Sequence, residues 1–357
     1  MIYMPPELDE GLEEQLAALH DLRKRLGAEM GRPSRWMGSL RREVRASSIE
    51  SSTSIEGYSV DPAEAIALTS GAKQPESDDE NRMAVSCYAR AMDHVGVMAR
   101  DPSFEWLDRV ILDLHFDACY FQRDKDPGLW RTGEIAVTGP GGGLDYQGPP
   151  WQEVPRLVDE IVDWLEREGE VDVIVKAALA HLNVVSVHPF RDGNGRISRI
   201  VQSLVLAREG LISPEFSSIE EYLGNHTTDY YAALRDVQGG SYQPHRDTAS
   251  WVSFCVDAHI VQARQRLAQI EEAAKRWGYL EELVEERGWP ERFTIALEQS
   301  LVGGSDRAAY SQEAGISPAS ASNDFRRLLD SGLVEQTGRG RSVRYLAVEQ
   351  LRKSVGA

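Results

Sequence analysis

His188-Pro-Phe-Arg-Asp-Gly-Asn-Gly-Arg-Ile-Ser-Arg199 gathers an imidazole, a carboxylate, a carboxamide, two glycines and several guanidinium groups into twelve consecutive residues. Those types at that spacing suit the handling of phosphate. Gly193 and Gly195 have no Cβ, so the backbone there can take positive φ, approach a ligand and point amide N–H groups at anionic oxygens. A helix opening at this point would add its unsatisfied first-turn donors and positive dipole end. Arg196 and Arg199, three residues apart, are expected over one helix face as a clamp for a polyphosphate. Asp192 offers the hard oxygen that magnesium takes while bridging phosphates. Asn194 can donate or accept without adding charge. His188, with an unperturbed pKa of roughly 6.5, can accept a proton from a hydroxyl nucleophile.

The elements that must position these groups are legible on either side. Val173 to Val187 reads as an apolar helix, and Ile197, Ile200, Val201, Leu204 and Val205 recur at helical spacing downstream. The twelve residues therefore form a loop that opens a helix. Asp and Asn beside glycine also build ordinary turns, but a turn alone requires neither the histidine nor two following arginines on one face.

The string resembles the signature of the Fic family, H-P-F-x-D/E-G-N-G-R-x-x-R, and matches it at every position. The resemblance implies a helical enzyme that transfers AMP from ATP to a hydroxyl of a target protein, with magnesium as cofactor. It makes His188 the general base and Asp192 the metal ligand. Gly193, Asn194 and Gly195 would cradle the phosphates, Arg196 and Arg199 would bind the outer ones, and Phe190 would anchor the loop in the core. Relatives with lysine in place of the second glycine transfer phosphate, so Gly195 favours adenylyl transfer.

Ser47 to Gly57 resembles the inhibitory helix of the same family, S/T-x-x-x-E-G/N, through Ser52, Glu56 and Gly57. Without the resemblance, it reads as a polar helix end capped by Gly57. A Glu56–Arg199 pair would occupy a guanidinium needed by the outermost phosphate. Between the two motifs, Gly128-Leu-Trp-Arg-Thr-Gly-Glu-Ile-Ala-Val-Thr-Gly139, the glycines Gly141 to Gly143 and Tyr146-Gln-Gly-Pro-Pro150 suggest a β-hairpin. It is similar to the family's flap, which places Ile135, Ala136, Val137 and Thr138 nearest the nucleotide; an exposed hairpin without ligand is the other reading. By the same resemblance Tyr230, Tyr231 and Gln238 stand near the adenine, although tyrosines on a helix also serve as core.

The chain has 357 residues, 41% of them hydrophobic, and a net charge of −18. That length permits two or three domains with sizeable cores, and the charge opposes general binding to nucleic acid or anionic membrane. Cys87, Cys119 and Cys255 lack metal-ligand spacing and fit buried thiols in a reduced compartment. No secretory signal and no run of ~18 apolar residues is visible, so the expected location is the cytoplasm, with no membrane partner.

The fold class expected is mainly α: a Fic-type helical bundle with a β-hairpin flap and a small C-terminal winged-helix domain. Residues 1–80 form an N-terminal helical region carrying the inhibitory helix (47–57), 81–241 the Fic core, 242–290 a helical linker and 291–357 the winged helix-turn-helix-like domain. In that last region, helices at Phe293–Leu301, Asp306–Ala314 and Pro318–Ser331, the last capped by Ser317, precede strands at Leu333–Gln336 and Val343–Ala347. From Ser305 on, eight basic residues face six acidic ones, which leaves −20 for the rest of the chain. Arg339 and Arg341 at the wing tip suit phosphates, while Asp324 in the proposed recognition helix would show DNA an acid. DNA, a target protein of unknown identity and a second copy of the chain all stay open as partners. The functional reading is an autoinhibited protein adenylyltransferase. Removal of AMP at the same site, and a DNA-binding regulator with a nucleotide-sensing core, are the alternatives.

Overall fold

The computed structural model describes residues 1–32, 34–70, 79–138, 144–167, 169–338 and 343–356. The expected glycine turn at Gly141 to Gly143 and the expected wing-tip residues Arg339 and Arg341 lie outside them. Among the described residues, all the regular structure is helical apart from two short antiparallel hairpins.

An N-terminal group of helices, α1 (Glu10–Met30), α2 (Met37–Ile55) and α3 (Pro62–Thr69), precedes α4 (Glu80–Arg100) and α5 (Asp108–Cys119). The first hairpin pairs β1 (Ala136–Thr138) with β2 (Leu144–Gln147), setting Val137 opposite Tyr146. Then follow α6 (Val154–Arg167), α7 (Val173–Val187), α8 (Asn194–Arg208), α9 (Pro214–Ser217), α10 (Glu220–Asn225) and α11 (Thr227–Gln238). A single long helix, α12 (Ala249–Glu286), has 38 residues, roughly 57 Å at 1.5 Å per residue.

The centre of the core is α7. It is apolar nearly all round, from Ile174 to Val187, and almost every side chain is buried, as expected of a helix surrounded by others. Beside it, α8 returns after a six-residue loop and buries Ile197, Ile200, Val201, Leu204 and Val205. The outer helix α6 is amphipathic and turns Leu157, Val158, Ile161 and Leu165 inward. The N-terminal residues share this core: Tyr3, Leu12, Leu16, Leu19 and Ile49 belong to the same apolar cluster as α7 and α8. Residues 1–80 and 81–241 thus bury one continuous interior.

A second cluster lies at the C-terminal end. It joins Leu280 and Val284 of α12 to Phe293 and Leu297 of α13 (Phe293–Leu301), Tyr310 of α14 (Arg307–Glu313), and Phe325 and Leu328 of α15 (Pro318–Asp330). Beyond it, β3 (Val334–Thr337) pairs with β4 (Arg344–Ala347), and α16 (Glu349–Ser354) closes the chain; the sequence reading did not include α16. Tyr345 also exchanges two backbone hydrogen bonds with Ser305, extending the hairpin toward α14. Asp324 does not face solvent as expected. It is buried, accepts two hydrogen bonds from Arg292 (2.7 and 3.0 Å) and one from the Tyr310 hydroxyl (2.9 Å), so the exposed face of α15 lacks that acid. The three cysteines are free and buried, and among the described residues no helix is long and apolar enough to cross a membrane.

Candidate active site

His188 ends α7 in the left-handed region, φ +53°, where its N–H still donates to the Val184 carbonyl (3.1 Å). Its Nδ1 lies 3.0 Å from the Val185 carbonyl. A carbonyl only accepts, so Nδ1 carries the proton and Nε2 keeps a free lone pair. Burial lowers the His188 pKa below its ordinary 6.5; the Val185 carbonyl, Glu56 and Asp192 pull it back upward. The backbone here is clamped by Arg131, which donates to the carbonyls of His188 (2.8 Å), Gly133 (2.8 Å) and Pro149 (2.6 Å) while its own N–H donates to Pro189 (2.9 Å).

The loop that follows is braced from beneath. Phe190 is fully buried and stacks on His115 with ring centroids 3.5 Å apart. The His115 Nδ1 accepts from Gly128 N–H (2.9 Å), so its Nε2 must donate to the Asp192 carbonyl (3.0 Å). Burial lowers the pKa of this imidazole to about 4, which keeps the tautomer neutral. Asn194 spends both ends of its amide on the Phe190 backbone, at 2.9 Å each way. Its side chain is therefore a loop brace, and only its backbone can meet a phosphate.

Gly193 caps α8 with φ +77° and no side-chain hydrogen bond. A Cβ there would overlap the Cys119 sulfur. Among the described residues nothing accepts from the first-turn N–H groups of Asn194, Gly195 and Arg196. A Cβ at Gly195 would overlap the Glu56 carboxylate, so that carboxylate sits directly against an uncapped helix start. The positive end of a helix is where an anion belongs.

Arg199 is buried and almost saturated. Its Nε donates to the Ser52 hydroxyl (2.7 Å), and Nη2 donates to the Ser52 carbonyl (3.0 Å) and the Glu56 carboxylate (2.9 Å). Ser52 lies in the last turn of α2 and Glu56 is its C-cap, one residue past Ile55; Gly57, at φ +88°, turns the chain away. Ser47 to Gly57 is thus the end of a longer helix.

Arg196 departs from the expected clamp. Although it is three residues from Arg199, its guanidinium lies under the loop, 5.6 Å from the centroid of Tyr58 and 5.5 Å from that of Phe121. Nη2 donates to Gln122 (2.7 Å), while Nε and Nη1 have no partner among the described residues.

A cavity of about 230 Å³ opens over the helix start. His188, Asp192, Gly193, Asn194, Gly195, Arg199 and Glu56 line it, together with Val137, Tyr230, Tyr231 and Gln238. Of the four flap residues expected at the ligand, only Val137 lines it. Ala136 and Thr138 point outward, and the Ile135 carbonyl accepts from Gly148 N–H (3.2 Å) and the Gln147 amide (2.8 Å). Tyr230 is buried against His181 (3.0 Å) and Tyr231 is exposed, so one serves as wall and the other as rim.

The donor set fits a nucleotide's phosphates: free helix-start amides and Arg199. Among the described residues no group of three or more His, Cys, Asp or Glu could hold a metal alone. A single partly exposed carboxylate, Asp192, fits magnesium that arrives with phosphate and water ligands.

A helix start left open beneath a β-hairpin and beside a histidine with a free Nε2 has the donors and the room to receive an anion. Residues 106–206, which hold this loop, match the Fic/DOC family. That segment carries a Fic/DOC family domain, homologous to protein adenylyltransferases. The chain is similar to a probable protein adenylyltransferase of Aquifex aeolicus, 35% identical over 99 residues, which cover 28% of each chain. With protein adenylyltransferase fic-1 of Caenorhabditis elegans it shares 39% identity over 136 residues, 38% of this chain and 24% of that one. The matched segment thus spans about a quarter of these relatives' lengths. In fold it is similar to a Fic family protein of Desulfovibrio desulfuricans, with a TM-score of 0.62 at 20% identity, covering 97% of this chain and 99% of the other.

Sequence reasoning missed Arg131, His115, Gln122 and Tyr58. Arg131 stands inside the flap segment with no cue to its role. His115 lies on an amphipathic helix as an ordinary core histidine would, and the other two carry no motif.

Proposed function

We propose that the chain is an autoinhibited protein adenylyltransferase, transferring AMP from ATP to a Ser, Thr or Tyr hydroxyl of a target protein and of itself. The observation that carries this reading is the Glu56 carboxylate lying against the helix start and 2.9 Å from Arg199, in the cavity that also holds His188. An acid in an anion site, bonded to the arginine that the anion needs, is a competitor for that site.

In the proposed reaction the His188 Nε2 takes the proton of the target hydroxyl. The oxygen attacks the α-phosphorus, one P–O bond forms, the bond to the β-phosphate oxygen breaks, and pyrophosphate leaves. His188 keeps Nδ1–H on the Val185 carbonyl throughout, which aims Nε2 into the cavity. Magnesium on Asp192 would supply neutralisation of phosphate charge. The amides at 194–196 and Arg199 would hold the outer phosphates once Glu56 has left. Transfer of this kind is mainly positioning and electrostatics. Tyr231 at the rim would offer a face for the base.

The test is incubation of wild type, Glu56→Gly and Glu56→Gly/His188→Ala with Mg²⁺ and ATP labelled at the α-phosphate, scored by gel and intact mass. Glu56→Gly should label itself on the order of a hundredfold more than wild type, the scale set by one oxyanion-site donor, and the double variant should not label. Nucleotide binding without label in every form would sink the reading.

A further inference from the structure

Asp192 and Arg196 stand one helical turn apart at the start of α8, where an i,i+4 ion pair would ordinarily close. It forms only loosely: Arg196 Nη2 lies 3.5 Å from Asp192 Oδ1, which accepts instead from the Gly193 N–H (2.6 Å), and the side chain of Gln122 bridges the two groups. Its Oε1 accepts from Arg196 (2.7 Å), and its Nε2 donates to Asp192 Oδ2 (2.7 Å) and to the Tyr58 hydroxyl (3.0 Å).

A primary amide is suited to this place because it is neutral and two-sided: the oxygen faces the cation and the nitrogen faces the anion. The reverse orientation would set NH₂ against guanidinium and carbonyl oxygen against carboxylate, so the network fixes the amide one way. Position 122 is held by its backbone, which donates to the Cys119 carbonyl (2.9 Å) just past α5. Tyr58, brought in by the turn at Gly57, meets Phe121 edge-on at 5.3 Å, and the two rings flank Arg196. The guanidinium is thereby parked on aromatic faces.

A carboxylate closed onto a guanidinium has its lone pairs engaged and a positive charge beside it, and is a poor ligand for a divalent cation. We infer that Gln122 is a positioning residue that keeps the loose Asp192–Arg196 ion pair from tightening into a hydrogen-bonded one, so that carboxylate lone pairs stay available to a divalent cation arriving on nucleotide phosphates. Tyr58 holds Gln122 in that orientation. The inference rests on the reading of Asp192 as the metal carboxylate of this site.

The experiment measures ATP affinity by calorimetry with Mg²⁺ and with EDTA, in the full chain carrying Glu56→Gly so that the cavity is open. The readout is the factor by which Mg²⁺ tightens ATP. Gln122→Met, which keeps length and volume, should reduce that factor about tenfold, the scale of lost outer-shell metal contacts, with the EDTA affinity little changed. Tyr58→Phe, which removes one of the contacts that orient Gln122, should reduce the factor by less. An undiminished factor in Gln122→Met would overturn the inference, and so would no dependence on Mg²⁺ in the parent or an EDTA affinity that falls as far as the Mg²⁺ affinity. The labelling assay runs in parallel: label with an unchanged factor fails the inference alone, and a lost factor with no label fails the transferase reading alone.

Discussion

The molecule contains two helix starts that follow a tight loop, and they are built in opposite ways. At α15, Ser317 accepts from Ser320 N–H (3.1 Å) and Pro318 occupies the first turn, where its missing N–H is no loss. At α8, Gly193 supplies no cap, and three N–H groups are left open. The capped end is satisfied by its own residues and needs nothing from outside. The open end is held in shape from below by Phe190 on His115, by Asn194 on the Phe190 backbone and by Arg131 on three carbonyls. Local stability is given up where an anion is to bind, and neighbouring elements restore it without touching the donors.

The largest stability effect should come from removing that support. Phe190→Ala deletes a fully buried ring from a packed site, a change that costs about 3–5 kcal/mol. It should lower the denaturation midpoint accordingly and abolish labelling in the Glu56→Gly background. A loss below ~1 kcal/mol with nucleotide binding intact would show that the open helix start supports itself. At the other end, Ser317→Ala removes one cap and should cost ~1 kcal/mol in denaturant titration. ATP affinity should not move, and a change there would break the contrast between scaffold end and ligand end.

Most of the helices and the chemistry of residues 188–199 could be read from the sequence because both depend on short-range pattern. Apolar spacing marked α7 and α8, and the strands and helices near 293–347 carried their own caps and turns. What could not be read was long-range. Arg196 and Arg199 have the same local spacing, and only the packing of Tyr58 and Phe121 decides that one is hidden and the other faces the cavity. Asp324 looked exposed until Arg292 and Tyr310 turned it inward. Ser52 and Glu56 stand more than 140 residues from Arg199, a pairing that followed from family resemblance and from no periodicity.

The smallest effect is a displacement along the pH axis. In Glu56→Gly, labelling under single-turnover conditions should rise with pH as His188 loses its proton, with the midpoint of that rise below pH 6.5, because burial disfavours the imidazolium. Glu56 acts in the other sense: its carboxylate favours the charged ring and raises the His188 pKa. Residual wild-type labelling should therefore show its acid limb at higher pH than the variant. Asp192 also raises that pKa, so adding Asp192→Asn to Glu56→Gly should move the limb further down even as it weakens the Mg²⁺ dependence. An acid limb above pH 6.5 in Glu56→Gly, or one that stays put when either carboxylate is removed, would mean that the titrating base is not His188 in this buried setting.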